Sequence, residues 1–406
     1  MTTEPMSSIR DPRLSPPERT HPIRVAVVCD FREERWPSMD LVGEMLFRHL
    51  RDCCAGDVTA TQLVPVLRRR FERFALLSWK LARNADRVIN RFLDYPAWLR
   101  ERQSDYDLFH VVDHSYAQLL FALPRQRTVV TCHDLDTFRC LLEPERESRP
   151  RWFRALARRT MDGFRQAAHV IAVSHATRDE ILLHGLVAPE RITVIPNGVH
   201  PLYSAAPDPV WDAKAAELMP DAQPVTNWLL SVGSTLPRKR LDILLRVFAA
   251  IHRDLPATRL VRVGGFTAAQ RRLAAELNIE DAVVELSFLE TEMLAAVYRR
   301  ATLLLHTADA EGFGLPLTEA MACGCPVVAS DIAVLREVGG TPARYCTTGN
   351  VDSWTATVAG LLTERSCDLA AWELRRQQGP IHAARFSWAE NARRTAGVYQ
   401  NVLEGR

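Results

Sequence analysis

Ala310-Glu311-Gly312-Phe313-Gly314-Leu315-Pro316-Leu317-Thr318-Glu319-Ala320-Met321-Ala322-Cys323-Gly324-Cys325-Pro326-Val327-Val328-Ala329 is the stretch whose reading decides the architecture. The apolar run Leu303-Leu304-Leu305 before it reads as a buried strand. Gly312 and Gly314 then remove side-chain bulk, so backbone amides there can approach a ligand closely. Pro316 suits the first turn of a helix, where its missing N–H costs nothing. The open amides and positive dipole end of that helix favour anionic oxygens such as phosphate. Pro326 to Ala329 is apolar again and reads as the next strand. Strand, turn, helix, strand is the unit of a doubly wound parallel sheet.

The same alternation extends in both directions. Upstream, strands are expected at Arg259 to Val263, at Val283 to Leu286, and from Trp228 to Gly233. Further back, Ile23 to Cys29, Leu108 to Val112, Thr128 to Cys132, His169 to Val173 and Ile192 to Ile195 form a second series, separated by helical periodicity. Between the series, residues 201–227 carry five prolines and read as a hinge with at most a short helix. The expectation is α/β: two facing Rossmann-like domains, 22–203 and 204–385, preceded by a disordered polar tail at 1–21. An amphipathic helix from Phe386 to Leu403 is expected to follow a break at Gly379-Pro380.

Composition narrows the class. The 406 residues suffice for two to three domains at roughly 150 residues each. Lys plus Arg number 51 and Asp plus Glu 49, and this near-balance speaks against a dedicated nucleic-acid binder. Nine cysteines occur without paired CxxC spacing, so a zinc cage is not expected and the thiols suit a reducing compartment. No apolar run reaches the roughly 18 residues of a spanning helix, and the first 21 residues lack the apolar stretch of a secretory signal. A cytoplasmic protein is expected, at most peripheral on the inner face of a membrane.

Two carboxylates bracket the glycines. Glu319 lies one helical turn beyond Leu315 on the same face, and a carboxylate there suits vicinal hydroxyls. Glu311 precedes the glycines at the strand end. With seven residues between them, inside EGFGLPLTEAMACGCPVVAS, they resemble the glutamate pair of retaining glycosyltransferases of the GT-B fold, specifically glycosyltransferase family 4. His169-Val-Ile-Ala-Val-Ser174, Ile195-Pro-Asn-Gly-Val199, Leu230 to Leu245, Leu260 to Gly265 and Met293 to Tyr298 extend the resemblance. The terminal helix is similar to the one that crosses back onto the first domain in that fold.

The resemblance implies site roles. Glu319 would hold the ribose hydroxyls of a nucleotide-sugar donor, and Glu311 would contact the donor sugar. Amides around Gly312, Phe313, Gly314 and Leu315 would bind sugar and phosphate oxygens. After Gly233 and Ser234, Lys239 falls where the family places its phosphate-binding lysine, and Arg238 would supply a second cation beside the leaving diphosphate. The family often has Arg at the position of Ser234. His133 aligns with the family's active-site histidine, with Asp134 either orienting that ring or capping the next turn, and His114 is a weaker candidate for acceptor contact. After the first strand the family commonly carries a Gly-Gly loop; here Cys29-Asp30-Phe31-Arg32-Glu33-Glu34-Arg35-Trp36-Pro37-Ser38-Met39 stands instead.

The resemblance implies sugar transfer with retention from a nucleoside-diphosphate sugar, either GDP-mannose or a UDP-sugar, to a saccharide or lipid-linked saccharide. No cofactor is expected, and with no Asp-x-Asp placed to hold a metal, metal independence is predicted. Two alternatives stay open: epimerisation or phosphorolysis on the same scaffold, and a non-catalytic nucleotide-sugar-binding module. Residues 65–102 hold ten basic and four acidic side chains interleaved with Phe71, Phe74, Trp79, Phe92 and Trp98. That segment suits either peripheral membrane contact or helices packed on the first sheet with an arginine-rich outer face.

Overall fold

Consecutive residues of the first strand go to opposite sides of a sheet: Val25 and Val27 join one apolar cluster, Ala26 and Val28 another. A strand buried on both faces needs helices on both, and the computed structural model shows that arrangement twice. It describes residues 21–72, 79–220 and 226–405. Residues 1–20 of the expected tail, Phe74, and part of the expected hinge lie outside the described residues.

The first sheet contains β1 (Ile23–Val28), β2 (Val58–Leu63), β3 (Leu108–Val111), β4 (Thr128–Cys132), β5 (His169–Ala172) and β6 (Ile192–Val194), in the order β2-β1-β3-β4-β5-β6. The second contains β7 (Asn227–Val232), β8 (Thr258–Val263), β9 (Val283–Leu286), β10 (Leu303–His306), β11 (Val327–Ser330) and β12 (Arg344–Cys346), in the order β12-β11-β10-β7-β8-β9. All pairs are parallel. The order reverses between β1 and β3 in one lobe and between β7 and β10 in the other. Ligands of open parallel sheets bind in the crevice at such reversals, beyond the carboxyl ends of the strands.

Ten of the twelve strands among the described residues are the apolar runs expected from the sequence. The other two, β2 and β12, are edges: β2 alternates buried and open residues, and β12 has only three. In the connecting segment, Asp208 caps the amides of Val210 and Trp211 and starts a helix, Pro209–Leu218.

One expectation is corrected. The helix Leu369–Ala383 does not break at Gly379-Pro380 but runs through it. Gly379 lies against the backbone of Met321, where an added Cβ would come within 2.9 Å of the carbonyl oxygen. Close packing of the two helices thus accounts for the glycine, and the chain turns only after Ala383.

The last helix, Trp388–Glu404, crosses onto the first lobe. Ser387 caps it, and Ala392, Ala396, Val398 and Tyr399 complete the apolar layer over Val25 and Val27. Gly198 lets the chain pass: a Cβ there would lie 2.4 Å from the Trp388 nitrogen. Inside this layer His110 contacts the Tyr399 hydroxyl through Nδ1 at 2.7 Å and Thr131 Oγ1 through Nε2 at 2.7 Å. Burial lowers the His110 pKa to about 3, so the ring is a neutral polar tether. Tyr399→Phe leaves one buried ring nitrogen without a partner and should cost about 1–3 kcal/mol, read as a lower urea midpoint.

Candidate functional site

The reversal between β7 and β10 is where the second lobe gathers its charges. Pro237 to Lys239 form a single 3-10 turn after β7, and Arg240 ends it in the left-handed region at φ 48°. The loop after β10 is fastened to this turn: the Asp309 amide donates to the Arg238 carbonyl at 2.9 Å, and Thr307 Oγ1 donates to that of Lys239 at 2.9 Å. Glu311 therefore arrives beside Lys239. Its Oε1 contacts Lys239 Nζ and accepts from His306 Nε2 at 2.8 Å, while Arg238 stands 3.7 Å from Oε2. Burial opposes the charge on Glu311, yet Lys239, His306 and Arg238 outweigh it and hold the carboxyl well below the usual range. His306 belongs to this cluster but was not among the residues singled out from the sequence.

Under the turn lies a second group the sequence did not reveal. Arg262 is buried, and its guanidinium donates to the carbonyls of Gly233 (2.6 Å), Ser234 (2.9 Å), Val263 (2.9 Å) and Gly265 (3.2 Å). Burial lowers its pKa to about 10. Gly233, at φ 137°, leaves the space that the Lys239 stem crosses, 3.9 Å from where a Cβ would stand.

The helix expected after the glycines is Leu315–Ala322, entered through Gly314 at φ 91° with Pro316 in its first turn. Pro316 has no amide hydrogen to leave open, and the Leu317 amide donates to the Gly314 carbonyl at 2.9 Å. Phe313 is buried and meets Phe386 edge-on at 5.5 Å. Glu319 is buried on this helix and accepts from the Tyr298 hydroxyl at 2.9 Å. Burial raises its pKa to about 7, against the opposing effect of that bond. The two glutamates share no partner: Glu311 is ringed by cations, and Glu319 answers a tyrosine.

The first lobe meets this loop at β4. An added Cβ on Gly312 would lie 1.6 Å from the His133 carbonyl oxygen, and the Gly312 carbonyl accepts from Ser174 Oγ at 2.9 Å. The His133 ring is buried and stays neutral because burial lowers its pKa. Its Nε2 donates to the Val112 carbonyl at 2.8 Å, which leaves the lone pair on Nδ1. Asp134 caps the next turn through the Asp136 amide at 3.0 Å, and the ring it approaches is that of His114, at 3.7 Å. Arg238 spans the lobes: Nε lies 2.7 Å from Asp136, NH2 lies 3.5 Å from Asp134, and NH1 donates to the Ala310 carbonyl at 3.1 Å. An Asp-x-Asp, Asp134-Leu135-Asp136, thus does stand at the cleft, and a guanidinium occupies its carboxyls. Among the described residues, Glu143, Glu180 and His184 have a spacing that suits a metal, but Arg139 donates to both glutamates, at 2.6 and 2.7 Å.

The described residues of segment 65–102 include both buried and exposed aromatic and aliphatic side chains. Tyr95 and Leu99 are buried, and Trp98 lies 5.8 Å from Tyr95 with Arg102 over its ring at 4.2 Å. Trp79, Leu81 and Leu93 are exposed. Among the described residues, no helix is long and apolar enough to cross a membrane.

Residues 23–201 match the family model described as Glycosyltransferase Family 4, and residues 221–380 match that described as Glycosyl transferases group 1. The chain is 32% identical over 270 residues to an MMP alpha-(1->4)-mannosyltransferase of Mycolicibacterium hassiacum, a match covering 62% of this chain and 61% of that protein. Its fold is similar to that of sucrose-phosphate synthase from Thermosynechococcus elongatus, with a TM-score of 0.72 at 17% identity over 95% of this chain and 100% of the other. It is also similar to Anabaena HepE in complex with UDP and glucose, with a TM-score of 0.69 at 20% identity over 93% and 100% of the two chains. These neighbours share the two-lobed GT-B architecture. With one family model accounting for each lobe in turn, the chain belongs to glycosyltransferase family 4.

Proposed function

We propose that the protein transfers a sugar from a nucleoside-diphosphate sugar to a hydroxyl of a saccharide acceptor, with retention at the anomeric carbon. The observation that carries this reading is the Lys239–Glu311–Arg238 cluster at the reversal between β7 and β10, held against His133 of the other lobe. When the bond from the anomeric carbon to the phosphate oxygen breaks, the diphosphate gains negative charge, and Lys239 and Arg238 stand where they can stabilise it. The acceptor oxygen attacks from the same face, and its proton passes to the departing phosphate oxygen. Glu311 keeps the Lys239 ammonium aligned and accepts from sugar hydroxyls.

Two fixed side-chain cations take the part a divalent ion would play, so this reading needs neither a metal nor a cofactor. A relative named as a mannosyltransferase and a neighbour solved with UDP support donors among GDP-mannose and the UDP-sugars. The exposed Trp79 and Leu81, adjoining Lys80 and Arg83 in the chain, support a cytoplasmic enzyme resting on the inner membrane face, where a lipid-linked acceptor would be presented.

Glu311→Ala and Lys239→Ala should each lower transfer on the order of 100-fold while the circular dichroism spectrum is retained; full activity in both variants would sink the assignment. Turnover should be unchanged by EDTA, and its abolition would overturn the metal-free reading.

Glu319 gives a pH signature. Gripping ribose hydroxyls requires its carboxylate, and the free protein holds the proton up to about pH 7. Donor binding must release that proton, so affinity rises with pH through this range. A nucleotide sugar should bind about tenfold more weakly at pH 6 than at pH 8, and Glu319→Gln should flatten the profile.

A further inference from the structure

Ser174 caps the helix His175–Leu183 by accepting from the Thr177 amide at 3.0 Å, which leaves the amides of His175 and Ala176 still in need of an acceptor. The other lobe supplies it. Glu337 Oε1 accepts from the His175 amide at 2.7 Å, and Oε2 accepts from that of Ala176 at 3.1 Å. A cap normally comes from a residue beside the helix start, whereas this one stands 162 positions away in the chain. A carboxylate at the positive end of a helix gains from the dipole as well as from the two bonds.

Glu337 is itself held in place. It lies on the helix Ala333–Gly339, whose end is tied by two side chains: the Tyr345 hydroxyl donates to the Gly340 carbonyl at 2.8 Å, and His382 Nε2 donates to that of Val338 at 2.8 Å. Leu335 of the same helix packs on the glycine loop, where a Cβ on Gly314 would lie 2.8 Å from its Cδ2. Val173 of the first lobe joins Val334 and Leu335 in one apolar cluster, and Ala176 packs against it. Apolar contact has no preferred direction. The paired bonds of Glu337 do have one, and they set how the first turn of the capped helix faces the loop.

That first turn carries the joint between the two reaction surfaces. Ser174 Oγ donates to the Gly312 carbonyl at 2.9 Å. Thr177 Oγ1 stands between two carbonyls, that of Gly312 at 3.3 Å and that of His133 at 3.5 Å. We propose that Glu337 is a positioning residue for the transfer reaction, setting His133 against the glycine loop through the first turn of the helix it caps. This rests on the transferase reading, which gives the juxtaposition its use. Both oxygens of Glu337 are engaged by backbone amides, so it acts through the helix and not on the sugar nucleotide. Its loss changes turnover and leaves donor affinity alone.

The test compares wild type, Glu337→Ala, Glu337→Gln, Thr177→Val and the double variant Glu337→Ala with Thr177→Val. Nucleotide release from GDP-mannose and from UDP-glucose is measured, together with amide hydrogen exchange in the presence of UDP or GDP. Glu337→Ala should lower kcat about tenfold, with donor KM and nucleotide affinity unchanged. Glu337→Gln keeps one acceptor oxygen and should fall between that variant and wild type. In the Thr177→Val background, Glu337→Ala should cost less than about twofold, because both side chains act on one path. Exchange should quicken in residues 131–135 and 310–314, and not only at 175 and 176. Full kcat in Glu337→Ala, a donor KM that rises as kcat falls, or additive effects in the double variant overturns the proposal. Where wild type turns over neither donor, the transferase reading fails and exchange decides the joint. Protection lost in Glu337→Ala at 131–135 and 310–314 then upholds the placing of His133 by Glu337, and unchanged protection there overturns it.

Discussion

A methyl group at position 312 would sit 1.6 Å from the His133 carbonyl oxygen, so the meeting of the two lobes depends on the absence of a side chain at one residue. Everything that joins the reaction surfaces is arranged around that point. Ser174 and Thr177 donate to the Gly312 carbonyl, and the Glu337 carboxylate accepts from the first amides of the helix that starts at His175. Arg238 reaches across to Asp134 and Asp136. Apolar packing adds to these polar contacts, with Val173 of the first lobe joining the core cluster of the second.

The charges at this contact are balanced within the protein. Lys239 and Arg238, the cations suited to a diphosphate, already have carboxylates beside them: Glu311 for the first, Asp134 and Asp136 for the second. On the proposed transferase reading, an entering diphosphate would exchange partners with these carboxylates instead of neutralising bare charge. The opposite proton affinities of Glu311 and Glu319, eight positions apart on one loop and helix, follow from the same economy of neighbours. One has Lys239, Arg238 and the His306 ring around it, and the other has a tyrosine hydroxyl.

Much of the fold was legible because the inner strands are buried on both faces and so read as unbroken apolar runs, as in Val25 to Val28 and Leu303 to Leu305. Two of the edge strands lack that signature: Val58–Leu63 alternates with threonine and glutamine, and Arg344–Cys346 opens on an exposed arginine. The misplaced break at Gly379-Pro380 came from treating two helix-disfavouring residues as a stop, when the glycine instead answers a neighbouring helix. At the site, Glu311, Lys239 and Arg238 were singled out by the family resemblance of the loops that carry them, and the structure brings the three together. His306 was hidden at the end of an apolar strand and Arg262 inside another. The spacing of Glu311 and Glu319 did not foretell their different surroundings, since a helix offers more than one face.

The crossing of the last helix has a further consequence for biogenesis. Ala392, Ala396 and Tyr399 form part of the layer that covers the first sheet, yet they leave the ribosome after both sheets have been made. The amino-terminal lobe therefore waits, with an apolar face uncovered, while the carboxyl-terminal lobe is synthesised.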